Sequence, residues 1–151
     1  MSDLDDLYQE IILDHNRRPR NYRPMTGATH HADGHNPLCG DEVTVFLHVD
    51  GDVITDITFD GQGCAISKAS ASLMTTRIKG RSLGYARELL DEVRTMMTGR
   101  EEEQPDLEKL GDLAALAGVR KFAVRVKCAT LPWHTLEAAL AGQQRVTTEE
   151  E

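Results

Sequence analysis

Leu4, Leu7, Tyr8, Ile11 and Ile12 recur three and four residues apart, which predicts an amphipathic helix from about Asp3 to about Asn16, capped by Ser2 or Asp3 and followed by Pro19. A basic, breaker-rich loop runs from Asn16 to Pro24. The polar stretch from Ala28 to His35 reads as a weak extended segment at a sheet edge. Val43, Val45, Leu47 and Val49 then alternate with Thr44, Phe46 and His48, the period-two pattern of a strand with one buried face. Asp50-Gly51 signals a hairpin, and Val53 to Phe59 returns antiparallel. Together these segments predict a small three-stranded antiparallel sheet.

Helical spacing resumes after Gly61-Gln62-Gly63-Cys64 with Ile66, Ala69, Ser70, Leu73, Met74 and Ile78, and stops at Gly80. The small residues Ala65, Ser67, Ala69, Ser70, Ala71 and Ser72 let this helix pack very close to the sheet. Another helix starts near Ser82 and ends at Gly99. A charged connector from Arg100 to Gln104 leads to Pro105, read as the first residue of a short helix carrying Leu107 and Leu110. Phe122, Val124 and Val126 alternate with polar residues, so the approach to Cys128 is extended or helical. The last helix carries Leu131, Leu136, Ala139 and Leu140, and Pro132 is expected in its first turn, which puts Cys128 at or just ahead of its start. The polar tail from 143 to 151 is expected to fray.

Composition narrows the class. A chain of 151 residues, 40% hydrophobic and 28% charged, suits one domain spanning 1–151 around a single core. No apolar run is long enough to span a membrane, and the acidic N-terminus lacks the features of a secretory signal, which assigns the chain to the cytoplasm. A net charge of −8 argues against nucleic acid as a partner. Within that acidic background Arg17, Arg18, Arg20 and Arg23 form one basic island and Arg120, Lys121, Arg125 and Lys127 another, either of which can steer a protein partner.

The candidate chemistry is sulfur chemistry. Three cysteines in a reducing compartment leave metal binding, thiol reactivity or simple burial open. Cys39 and Asp41 stand two apart where the first strong strand begins, so in a strand they share a face, with Gly40 between them free to bend. Cys64 and Cys128, at expected helix starts, complete a set of four donors of the kind zinc accepts. Helix N-termini lower thiol pKa and favour the thiolate that a metal needs. The spacings, about 25 and 64 residues, contain no C-x-x-C knuckle. His30, His31 and His35 match no metal-binding spacing and are expected to lie outside the site.

The segments Asn36-Pro37-Leu38-Cys39-Gly40-Asp41, Gly61 to Ser67 and Arg125 to Leu131, with Leu7-Tyr8, Asp14-His15 and Pro19-Arg20-Asn21 upstream, closely resemble the NifU N-terminal and IscU family of iron-sulfur assembly proteins. Lys127 before the third cysteine, where IscU scaffolds have histidine, and the stretch from about Gly99 to Gly118 look like the SufU branch. The resemblance implies an α+β fold, a small antiparallel sheet with helices packed on it. It implies zinc held by Cys39, Asp41, Cys64 and Cys128, with Cys39 also accepting persulfide sulfur from a PLP-dependent, SufS-type cysteine desulfurase. In that family a desulfurase histidine takes the position on zinc that the acceptor cysteine vacates. Arg125 is implied as a docking residue, and downstream iron-sulfur scaffold proteins as recipients of the sulfur. The alternative is a scaffold on which a [2Fe-2S] cluster is assembled.

Overall fold

The alternation in the middle of the chain builds the sheet on which the helices are laid. The computed structural model describes residues 3–38, 40–99, 106–120 and 122–147. Strands β1 (His30–Asn36), β2 (Asp41–Asp50) and β3 (Val53–Gln62) pair antiparallel, and β4 (Arg145–Thr147) joins β1 in parallel. The order is β3-β2-β1-β4, so the expected three-stranded antiparallel sheet is corrected to four strands of mixed direction. The segment expected at an edge is an inner strand. The expectation of a frayed tail likewise fails at 145–147, where Gln144 accepts a hydrogen bond from the Asp33 N–H at 2.8 Å and the chain continues along β1. A three-residue strand carries too little pattern to be seen in sequence; the open edge of β1 supplies its partner groups. Residues 148–151, the Ser2 cap, the connector 100–104 and Pro105 lie outside the described residues.

Alternation predicts the buried face of β2 correctly, with Val49 only half-buried, and the same face continues into its neighbours. Ala32, Gly34 and Asn36 of β1, Asp41, Val43, Val45 and Leu47 of β2, and Ile57 and Phe59 of β3 are all buried. Helices α2 (Ala65–Ile78) and α5 (Ala123–Leu140) pack on the sheet, and α1 (Asp3–Arg17) packs on α2. Helix α3 (Leu83–Thr98), short α4 (Leu107–Leu110) and a 3-10 helix, Gly111–Val119, complete the helical side. The Ser82 hydroxyl caps α3 by accepting from the Tyr85 N–H at 3.0 Å, and Gly99 ends it. At Gly34 the approach of α5 is so close that a Cβ would overlap Thr135 Oγ1.

The small residues of α2 serve more than close approach. Ser70 Oγ donates to the Ala129 carbonyl at 2.5 Å and accepts from the indole N–H of Trp133 at 3.0 Å, tying α2 to α5. Ser72 Oγ meets His15 Nδ1 at 2.7 Å and accepts from the Arg20 N–H at 2.8 Å, tying α2 to α1 and the loop after it. Thr75 Oγ1 accepts from Asn21 Nδ2 at 3.0 Å. The buried hydroxyls of Ser70, Ser72 and Thr75 are tolerated because each of the three has a partner.

Helix α5 begins at Ala123, so Cys128 is its sixth residue and Pro132 lies in its interior, not in its first turn. Of the extended and helical readings of this segment the helical one holds: Phe122 and Val124 are exposed, and the buried residues of α5 begin at Cys128, against the sheet and α2. That packing offsets the hydrogen bond Pro132 cannot donate. Among the described residues no helix is long and apolar enough to cross a membrane.

Candidate metal centre

Asp41 and Asn36 end the inward rows of β2 and β1 and are register partners. Asp41 is 1% exposed, and its Oδ1 accepts the Cys64 N–H at 2.8 Å. Gly63 makes room for this carboxylate: a Cβ there would stand 3.0 Å from Oδ1. Strand β2 begins only at Asp41, and Gly40 before it has φ of +73°. Pro37 and Leu38 form a turn after β1, so the strand expected around positions 39 and 41 is described only from Asp41 onward. Cys39 lies outside the described residues.

Cys64 is the N-cap of α2, with its sulfur accepting from the Ser67 N–H at 3.4 Å. The thiol thus takes the place usually held by Ser, Thr or Asp, at the N-terminal end of a 14-residue helix. Its sulfur lies 3.6 Å from Asp41 Oδ2. Cys128 is fully buried one and a half turns inside α5, so the helix-terminus argument made for it does not hold. Its sulfur lies 3.8 Å from the Val124 carbonyl and 3.9 Å from Asn36 Nδ2.

The ligand atoms of Asp41, Cys64 and Cys128 all lie within 4.8 Å of one another, the one such group among the described residues. Tetrahedral zinc with sulfur at about 2.3 Å and oxygen at about 2.0 Å has S···O edges of about 3.5 Å and S···S edges of about 3.8 Å. The Cys64–Asp41 separation of 3.6 Å already matches, and inward shifts of about 1 Å or less would close the remainder. Two soft sulfurs and one hard oxygen suit zinc, and neither sulfur is tied up in a disulfide.

The histidines stay out of this group, as expected. His30 Nδ1 bonds Thr29 Oγ1 at 2.9 Å, the His31 ring stacks on Phe46, and His35 faces outward opposite Glu42. Arg125 is exposed on the first two turns of α5, on the same helix end as Cys128. The basic loop differs from expectation: Arg20 pairs with Asp14 at 2.7 Å and Arg23 with Asp56 at 3.4 Å, so these charges hold the loop to its own protein. The Arg20 hydrogen bond holds the Asp14 carboxyl below its usual range. Sequence reasoning passed over Asn36 as a working residue, although it ends the alternating buried row of Ala32 and Gly34, where a polar residue requires a polar partner.

Comparison with known proteins agrees with this geometry. The family model described as the NifU-like N terminal domain matches residues 7–129. The chain is 42% identical over 143 residues to the zinc-dependent sulfurtransferase SufU of Bacillus subtilis, covering 95% of each. It is 39% identical to the iron-sulfur cluster assembly scaffold protein IscU of Streptococcus pyogenes, covering 93% of this chain and 86% of that one. The crystal structure of the SUF-system protein FiSufU from Fervidobacterium islandicum superposes with a TM-score of 0.80 at 38% identity, covering 87% of this chain and 94% of that one. The chain belongs to the NifU-like N-terminal domain family, the IscU and SufU proteins of iron-sulfur cluster assembly.

Proposed function

We propose that this protein is a zinc-dependent sulfurtransferase that accepts persulfide sulfur on Cys39 from a PLP-dependent, SufS-type cysteine desulfurase and passes it on to iron-sulfur scaffold proteins. The observation that carries this reading is the convergence of Asp41, Cys64 and Cys128 within 4.8 Å, a donor set that fits zinc and leaves room in a tetrahedron for one more ligand. Bound zinc would keep its thiols deprotonated near neutral pH and provide one exchangeable position. Cys64 caps α2 and Cys128 is buried in α5, which supports a holding role for both; the reading assigns Cys39 as the ligand that leaves.

The transfer balances on the chain's own sulfur. The Cys39 thiolate attacks the outer sulfur of the partner's persulfide; a sulfur–sulfur bond forms on Cys39, the partner's breaks, and the electron pair leaves on the partner cysteine. Leu38, next to Cys39 in sequence, and Phe122 and Val124 at the start of α5 are exposed, and with Arg125 on that same helix start they supply apolar and basic groups suited to such docking. The second reading, a [2Fe-2S] scaffold, is favoured by the IscU name of the Streptococcus relative. Lys127 before Cys128 supplies no imidazole for it.

The test is Cys39→Ala with the cognate desulfurase. The variant should retain most of its zinc yet give no stimulation of turnover, and mass spectrometry after one turnover should find the extra sulfur of the wild type on Cys39. In the same assay Arg125→Ala should raise the concentration needed for half-maximal stimulation. Persulfide chiefly on Cys64 or Cys128, or stimulation by Cys39→Ala, refutes the reading. A stable cluster spectrum after reconstitution with iron and sulfide, with no special role for Cys39, favours the scaffold.

A further inference from the structure

We propose that Asn36 is a positioning residue of this centre, joining the buried Cys128 sulfur to the turn that leads into Cys39. The inference rests on the metal reading above and assigns a role to a residue outside the donor set. Asn36 is fully buried, and each end of its amide has work: Nδ2–H donates to Cys128 Sγ at 3.9 Å, and Oδ1 accepts the Leu38 N–H at 3.2 Å. Its own carbonyl accepts the Gly40 N–H at 2.9 Å. One residue thereby holds the N–H groups of Leu38 and Gly40 while touching a sulfur 92 residues away.

The residue type follows from these duties. A buried amide left unpaired is costly, so an apolar side chain would serve better in the row after Ala32 and Gly34 if packing were the only demand. An aspartate would keep an oxygen for Leu38 but set a carboxylate against the sulfur. A serine is too short to reach the sulfur. An amide N–H aimed at the sulfur suits a sulfur that holds a metal, because such a sulfur accepts hydrogen bonds and has none to donate. Hydrogen bonds of this kind orient metal-bound sulfurs and tune their charge, and removing them typically weakens metal binding about 10–100-fold.

The experiment uses the full chain loaded with Co(II), in wild type, Asn36→Ser, Asn36→Asp and Ala32→Gly, with folding followed by Trp133 fluorescence. Both Asn36 variants should move the thiolate-to-cobalt charge-transfer band to longer wavelength and release cobalt to a chelator about tenfold faster. Ala32→Gly, in the same buried row, should lower the unfolding midpoint without moving the band. Hydrogen exchange at the Leu38 N–H should quicken in Asn36→Ser and stay near wild type in Asn36→Asp. If the buried carboxylate prevents folding, Asn36→Ser decides. An unmoved band and unchanged release in Asn36→Ser overturn the role on the sulfur, and unchanged exchange overturns the role on the turn. A wild type with no thiolate band would instead overturn the metal reading, and this role with it.

Discussion

Gly40 and Gly34 show two different reasons for the same residue. Gly40 has φ of +73° with nothing within 4 Å of where a Cβ would stand, so its constraint is backbone conformation and not space. Gly34 has an ordinary φ but no space, because Thr135 Oγ1 occupies it. Gly40→Ala should therefore cost about 1 kcal/mol, the ordinary penalty for a left-handed L-residue, with Gly40→Asn costing less. Denaturant unfolding with an unchanged m-value checks this. Equal stability of Gly40→Ala and wild type would mean that the turn relaxes to a negative φ without loss.

At the scale of elements, α1 is held to α2 through a buried imidazole. His15 is buried against Ser72, and that burial, reinforced by the nearby Arg20 charge, pushes its pKa below 6.5. His134 on α5 is pushed the same way by burial. Below 6.5 the unfolded chain binds protons that the folded chain resists. The contribution is thus complete above the unfolded pKa and is lost as pH falls through the folded one. Stability should decline on acidification from pH 7 toward 5, and His15→Gln should flatten that slope, as measured by urea unfolding at each pH. A slope identical to wild type would place the pH response elsewhere. Elements also explain the misjudged position of Cys128. Alternation at Phe122 and Val124 left the segment open between extended and helical, and the burial of Ala129, Leu131, Leu136 and Ala139 made it one long helix.

For the whole molecule, the donor set crosslinks parts far apart in the chain: Asp41 opens β2, Cys64 caps α2 and Cys128 lies within α5. A metal bound only by the folded chain stabilises it by about 4 kcal/mol when free metal exceeds its dissociation constant a thousandfold. Removing zinc with a chelator should lower Tm markedly, and Cys64→Ser or Cys128→Ser should abolish most of that difference. Trp133, the single tryptophan, sits buried on α5 and bonded to α2, so its fluorescence follows the loss. Metal content unchanged by either substitution would refute the shared site.

Local periodicity determined much by itself. It located β2 and β3, the bounds of α1 and α3 within a residue or two, and the cap at Cys64, because a repeating pattern or a capping side chain is written in neighbouring residues. The cysteines and Asp41 were visible as candidate donors by chemical type, and the motifs around them carried the family. Only tertiary structure decided the rest. The parallel β4, the inner position of β1, the helical start of α5 and the duties of Asn36 all depend on groups far away in sequence. A three-residue strand takes its hydrogen bonds from whichever edge is open, and a buried amide takes its meaning from the sulfur it meets. Neither partner is encoded in the residues beside it.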